Sequence, residues 1–122
     1  MEQIQVRYQE NNFVVKISQE SALTEQLFTQ LKFQLLAEKW KEESKYLAFT
    51  KDRVQLPNYQ AIIAMGKTAL PLILDDMRHQ PQHWFVALKA ITGENPVQLE
   101  HRGNIQSMTN DWLLWGKENH II

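Results

Sequence analysis

Asp75, Asp76, His79 and His83 put oxygen and imidazole donors within nine positions of one another, and a spacing of four would align Asp75, His79 and His83 on one helical face, as a metal site would need. Pro81 interrupts that face. The same residues also read as a polar helix end, with histidines favourably placed at the negative pole of the helix dipole. No metal site is therefore expected. Acid–base or nucleophilic chemistry would draw on Asp76, His83, Glu94, His101, Ser107 and Asp111, none of which stands in a recognised local signature. The enzymatic alternative places an acid–base site near Asp76, His83 and Glu94, in a concave polar pocket. The run from Ala61 to Thr68 approaches the phosphate-binding pattern G-x-x-x-x-G-K-[ST], but Ala61 replaces the first glycine and the residues before Gly66 read as a helix rather than a strand. No catalytic residue and no cofactor is assigned.

Aromatic residues offer a different chemistry, that of protein contact. Trp84 and Phe85 are adjacent, so both cannot point into one core, and Trp112 and Trp115 lie three apart on one helical face. Aromatic side chains anchor interfaces as well as cores. Tyr8, Trp84, Phe85 and Trp115 are the expected interaction residues, serving a protein partner or a homodimer. A non-enzymatic interaction module or small adaptor is the expected function.

The elements that must carry these residues follow from periodicity. Ile4, Val6 and Tyr8, then Phe13, Val15 and Ile17, alternate with polar neighbours around Glu10-Asn11-Asn12, which predicts a β-hairpin or arm over residues 1–20 whose edge could pair with a second chain. A helical domain is expected over residues 21–122, the whole forming one structural domain. From Ser21 or Thr24 as N-cap, Leu23, Leu27, Phe28, Leu31, Leu35 and Leu36 recur at helical spacing towards Trp40, predicting a long amphipathic helix with a Gln, Lys and Glu outer face. Residues 46–56 carry no period and read as a connection. Pro57 opens a short helix with Tyr59, Ile62 and Ile63 on one face, stopped at Gly66. Thr68 is placed to cap the next, which buries Leu70, Ile73, Leu74 and Met77; Pro81 then breaks the chain. Another helix begins near Gln82 and ends at Gly93, and a last one carries Met108, Trp112, Leu113 and Trp115 up to Gly116. The fold class is mainly α, with four to five helices.

Composition narrows the partners. Thirteen basic and fourteen acidic residues give a net charge of -1, and Glu42 and Glu43 dilute Lys39, Lys41 and Lys45. Weak nucleic-acid binding by those lysines is an alternative that charge does not favour. The absence of cysteine rules out a disulfide framework or a thiolate nucleophile. No basic start followed by an apolar run marks a signal peptide, and no apolar stretch approaches spanning length, so a cytoplasmic location without membrane contact is expected.

Two resemblances add to this. Residues 65–74 (Met-Gly-Lys-Thr-Ala-Leu-Pro-Leu-Ile-Leu) with Ala87-Leu-Lys-Ala-Ile91 look like one HEAT-type helical hairpin, about a quarter of the chain. More widely, over roughly residues 31–116, the set Trp40 with Glu43, Pro57-x-Tyr59-Gln60-x-Ile62-Ile63-x-Met65-Gly66, Ala69-Leu70-Pro71, Trp84-Phe85-x-Ala87-Leu88-x-Ala90-Ile91-Thr92-Gly93-Glu94-x-Pro96-Val97 and Trp112-Leu113-x-Trp115-Gly116 is similar to a family of small uncharacterised bacterial proteins. That similarity implies no activity and carries no functional residues across.

Overall fold

The computed structural model describes residues 10–122, with side chains from Ala22 onward. Internal contacts divide the chain into two units, residues 1–31 and 32–122. The described residues form α1 (Glu10–Ser44), α2 (Thr50–Val54), α3 (Pro57–Ala64), α4 (Leu70–His79), α5 (Phe85–Thr92) and α6 (Ile105–Glu118), with 3-10 turns at Gly66–Ala69 and Leu99–His101. The chain is mainly helical, and no strand occurs among the described residues. The first strand of the expected hairpin, with Ile4, Val6 and Tyr8, lies outside them; the backbone from Glu10 onward belongs to α1.

In the unit of residues 32–122 the core is built on aromatic rings. Trp84 lies 4.7 Å from Trp40, 5.4 Å from Tyr59 in a stacked pair, and 5.8 Å from Phe33, centroid to centroid. Around them close Ile62 of α3, Ile73, Leu74 and Met77 of α4, Ala87 and Leu88 of α5, and Trp112 of α6, all fully buried. Three of these rings have their polar atoms partnered, where an unmade buried hydrogen bond would cost about 1–3 kcal/mol, whereas the buried Trp112 Nε1 makes no hydrogen bond. Trp40 Nε1 donates to the Arg53 carbonyl at 2.8 Å, and Trp84 Nε1 donates to Asp76 Oδ2 at 2.8 Å. The Tyr59 hydroxyl donates to the His83 carbonyl at 3.0 Å and accepts the Ala87 N–H at 2.9 Å. Burial raises the Tyr59 pKa well above the ordinary phenol value, so the hydroxyl keeps the proton this arrangement uses.

Several helix ends follow local rules. Pro57 stands at the first position of α3 and Pro71 in the first turn of α4, where a missing N–H loses no bond. Gly93 closes α5 at φ 73°, a left-handed position that a side chain would strain. Asn104 caps α6 by accepting the Ser107 N–H at 3.0 Å.

Other ends depart from the sequence reading. Neither Ser21 nor Thr24 starts a helix, since α1 runs through both. The stretch 46–56 contains the one-turn α2, which adds a sixth helix; Arg53 Nε donates to the Leu47 carbonyl at 2.7 Å and holds the preceding turn. Thr68 does not cap α4, because its hydroxyl donates backward to the Met65 carbonyl at 2.9 Å. Helix α5 starts at Phe85, not near Gln82. Gly116 is not a stop either: α6 continues to Glu118, and Gly116 is buried inside it.

Candidate interaction surface

α1 has two apolar faces. Phe33, Ala37, Trp40 and Ser44, spaced four, three and four apart, are buried. Leu23, Leu27, Phe28, Leu31 and Leu35 are instead 64%, 55%, 67%, 52% and 54% exposed. At 100° per residue Leu23, Leu27, Phe28 and Leu31, all in the unit of residues 1–31, fall within about 140° of arc. The apolar spacing of residues 23–35 was expected to mark the core side of an amphipathic helix, and it marks the open side. Exposed Glu25 lies about 60° beyond Phe28 on one side, and exposed Gln30 about 20° beyond Leu23 on the other. Burying the exposed half of such a side chain contributes on the order of 1 kcal/mol, and contiguous apolar surface of this kind marks contact sites.

The aromatic residues singled out in the sequence are placed differently. Trp84 is fully enclosed in the core, so it presents no surface to a partner, a correction that follows from its three ring contacts and its bond to Asp76. Phe85 and Trp115 are half-buried; Trp115 Nε1 donates to Glu94 Oε1 at 3.0 Å, and its ring meets Trp112 edge-on at 5.3 Å. Tyr8 lies outside the described residues. Comparison of the chain with protein-family models, curated proteins and solved structures finds no match.

The acid–base candidates do not converge. Asp76 has both carboxylate oxygens engaged, one by Trp84 and the other by Lys41 Nζ at 2.7 Å. Glu94 holds Trp115, and His83 has its pKa lowered, first by burial and then by the charge of Arg53. Among the described residues, depressions of about 400, 500 and 610 Å³ are lined by side chains other than Asp76, His83 and Glu94. Among the described residues no three His, Asp or Glu side chains are grouped to hold a metal ion; α4 ends at His79, whose Nδ1 lies 2.9 Å from the Asp75 carbonyl. The residues before Gly66 form α3, so the near-phosphate motif lacks its strand and reads as a helix-to-helix turn. Lys41 and Lys45 are each paired to a carboxylate, Asp76 and Glu42, which lowers the positive potential a nucleic acid would meet. No helix among the described residues is long and apolar enough to cross a membrane.

One pair that the spacing did not bring together is formed in space. Asp111 of α6 is buried, and its Oδ2 lies 2.8 Å from His101 Nδ1 and accepts the Gln98 N–H at 3.1 Å. A carboxylate only accepts, so Nδ1 carries the imidazole proton. The pair ties the turn Leu99–His101 to α6; Ser107 is engaged by its own backbone N–H in the Asn104 cap. Burial alone would raise the Asp111 pKa, but the hydrogen bonds from His101 and Gln98, with the charge of His101, outweigh it and hold the carboxyl below its ordinary value. The unfolded chain then takes up this proton first as pH falls, so the stabilisation is complete above about pH 4 and is lost as pH drops through the lower native pKa. Asp111→Asn is expected to lower stability at pH 7 by about 1 kcal/mol and to flatten the acid limb of a Tm-against-pH curve below pH 4. An unchanged acid limb would show that the carboxylate does not carry it.

Proposed function

We propose that the protein is a non-enzymatic interaction module whose docking surface is the exposed apolar face of α1 over residues 23–31. The carrying observation is that four large apolar side chains, Leu23, Leu27, Phe28 and Leu31, each more than half exposed, share one face of α1 within the unit of residues 1–31. Helix-mediated recognition reads such a face through anchors spaced three and four residues apart. The shorter helices serve as the scaffold that fixes one end of α1, a role compatible with the HEAT-type resemblance of residues 65–91. Cysteine is absent, as suits a reducing compartment such as the cytoplasm.

The test is native mass spectrometry of the protein purified gently from its own host, alongside the double variant Leu27→Glu/Leu31→Glu. The wild type is expected to carry a stoichiometric second chain, identical or different, that the variant loses. Because both positions are exposed, the variant's Tm should stay within about 2 °C of wild type. A wild-type protein that is a bare monomer overturns the reading.

A further inference from the structure

We infer that the depression of about 610 Å³ bounded by the last turns of α1, Arg53 of α2 and the segment after α4 binds a short zwitterionic peptide of about three residues, its ammonium on Glu38 and its carboxylate on Arg53. Every residue that lines it belongs to the unit of residues 32–122, and none belongs to the exposed apolar face of residues 23–31, so the two sites are independent.

Charge selects the ligand. Glu38, Lys41, Glu42 and Lys45 fall within about 100° of arc on α1 and form one wall. Lys45 Nζ lies 2.8 Å from Glu42 Oε1, and Lys41 Nζ lies 2.7 Å from Asp76 Oδ1, so those charges are met within the chain. Glu38 and Arg53 have no ion-pair partner among the described residues. Arg53 is held in place all the same: its Nε donates to the Leu47 carbonyl at 2.7 Å, which leaves the two terminal guanidinium nitrogens for a carboxylate. Burial, and then the charge of Arg53, lowers the pKa of His83, so that imidazole adds no further positive charge at pH 7. One unmet cation and one unmet anion in a single depression fit a ligand that carries one charge of each sign. A simple anion or a simple cation would meet only half of the site.

Spacing and hydrogen bonding make that ligand a peptide. Ser44 follows Glu38 by six residues, a rise of about 9 Å along α1, and Arg53 stands beyond Ser44 because it reaches Leu47. Three extended residues span about 10 Å, whereas the two charges of a single amino acid sit on neighbouring atoms. Across from α1 lie Gln80 and Gln82, whose carboxamides make no hydrogen bond to the described residues. A carboxamide both donates and accepts, as a peptide bond does, so each matches one amide of a backbone laid along α1. The volume is that of an ordinary small-ligand site.

The probe is triglycine, titrated into isotope-labelled wild-type protein near neutral pH and followed by nitrogen–proton correlation spectra. A dissociation constant on the order of 1 mM is expected, with shifts concentrated at the Arg53 Nε–H and at the Gln80 and Gln82 carboxamides. N-acetyl-triglycine, which lacks the ammonium, and triglycine amide, which lacks the carboxylate, should each bind about three- to tenfold more weakly. Glu38→Gln should weaken triglycine by that same factor and leave N-acetyl-triglycine unaffected, and Arg53→Gln should do likewise for triglycine while leaving triglycine amide unaffected. Glu38 is exposed, so its variant keeps the wild-type stability and the test does not depend on the Arg53 variant folding. No binding up to about 20 mM, equal binding of the capped peptides, or shifts centred on other residues overturns the proposal. Acetate binding as tightly as triglycine, and lost in Arg53→Gln alone, would make this an anion site and overturn the peptide assignment as well.

Discussion

Trp84→Ala is expected to lower the stability of the protein by about 3–5 kcal/mol, seen as a Tm roughly 12–20 °C below wild type. The indole is fully buried against Phe33, Trp40 and Tyr59, so removing it opens a cavity bounded by three large rings, two of which, Trp40 and Tyr59, cannot move in without leaving their own hydrogen bonds. It also removes the donor to Asp76 Oδ2, although Asp76 keeps Lys41. Trp84→Phe separates the two effects: it retains most of the ring volume, loses the N–H, and should cost about 1–2 kcal/mol beyond its small packing loss. Denaturant unfolding of both variants measures the ratio. A loss under about 1 kcal/mol for Trp84→Ala would mean that the aromatic set is not the centre of this core. If the alanine variant does not fold at all, the phenylalanine variant still distinguishes a structural Trp84 from a surface one.

Gly116→Val should cost about 1–3 kcal/mol through overpacking. A Cβ at this position would stand 2.7 Å from Leu74 Cδ1 and 3.3 Å from Ile122 Cγ1. Leu74 is fully buried, so its methyl can retreat only by displacing other core atoms. Gly116→Ala is the informative control: alanine gains up to about 1 kcal/mol of helix propensity in a helix interior, which offsets part of the overlap, so its stability should lie between valine and wild type. Thermal unfolding of the series checks the order. Equal stability of all three would show that α6 and α4 do not approach as closely here as the backbone places them.

Gly116 also shows where sequence reading stopped. A glycine after an apolar run signals a helix end when it must adopt a left-handed conformation, as Gly93 does, but the same residue type serves inside a helix where a neighbour comes too close for a side chain. One letter cannot distinguish the two. The segments over residues 57–93 were legible because their apolar residues have only one face to offer: Leu70, Ile73, Leu74 and Met77 are all buried, and Pro57, Pro71 and Gly93 punctuate them by local backbone chemistry. In α1, periodicity gave a helix but not its orientation. Five strong hydrophobes on one side outweigh Phe33, Ala37, Trp40 and Ser44 by apolar count, yet Trp40 and Phe33 carry the ring contacts that the core requires, and tertiary packing decided against the count. Of the Trp84-Phe85 doublet, read as two rings that could not both enter one core, Trp84 is fully enclosed with its N–H on Asp76, and Phe85 packs half-buried against the same core. The His101–Asp111 pair was out of reach for spacing rules because a turn of irregular backbone, not a helix, brings it together.

The Trp40–Trp84 contact has an optical consequence. With ring centroids 4.7 Å apart and planes inclined by 39°, the two indoles are close enough for their transitions to couple, which produces paired near-ultraviolet circular dichroism bands of opposite sign. Because the rings come from the end of α1 and the start of α5, their share of that signal exists only when these distant parts of the chain are in register, whereas the Trp112–Trp115 pair, 5.3 Å apart, couples within α6 alone. Partial unfolding that keeps the helices but loosens the core would extinguish the Trp40–Trp84 share while far-ultraviolet absorption asymmetry persists. The protein thus carries its own label-free reporter of core assembly, one that is independent of the exposed face of α1.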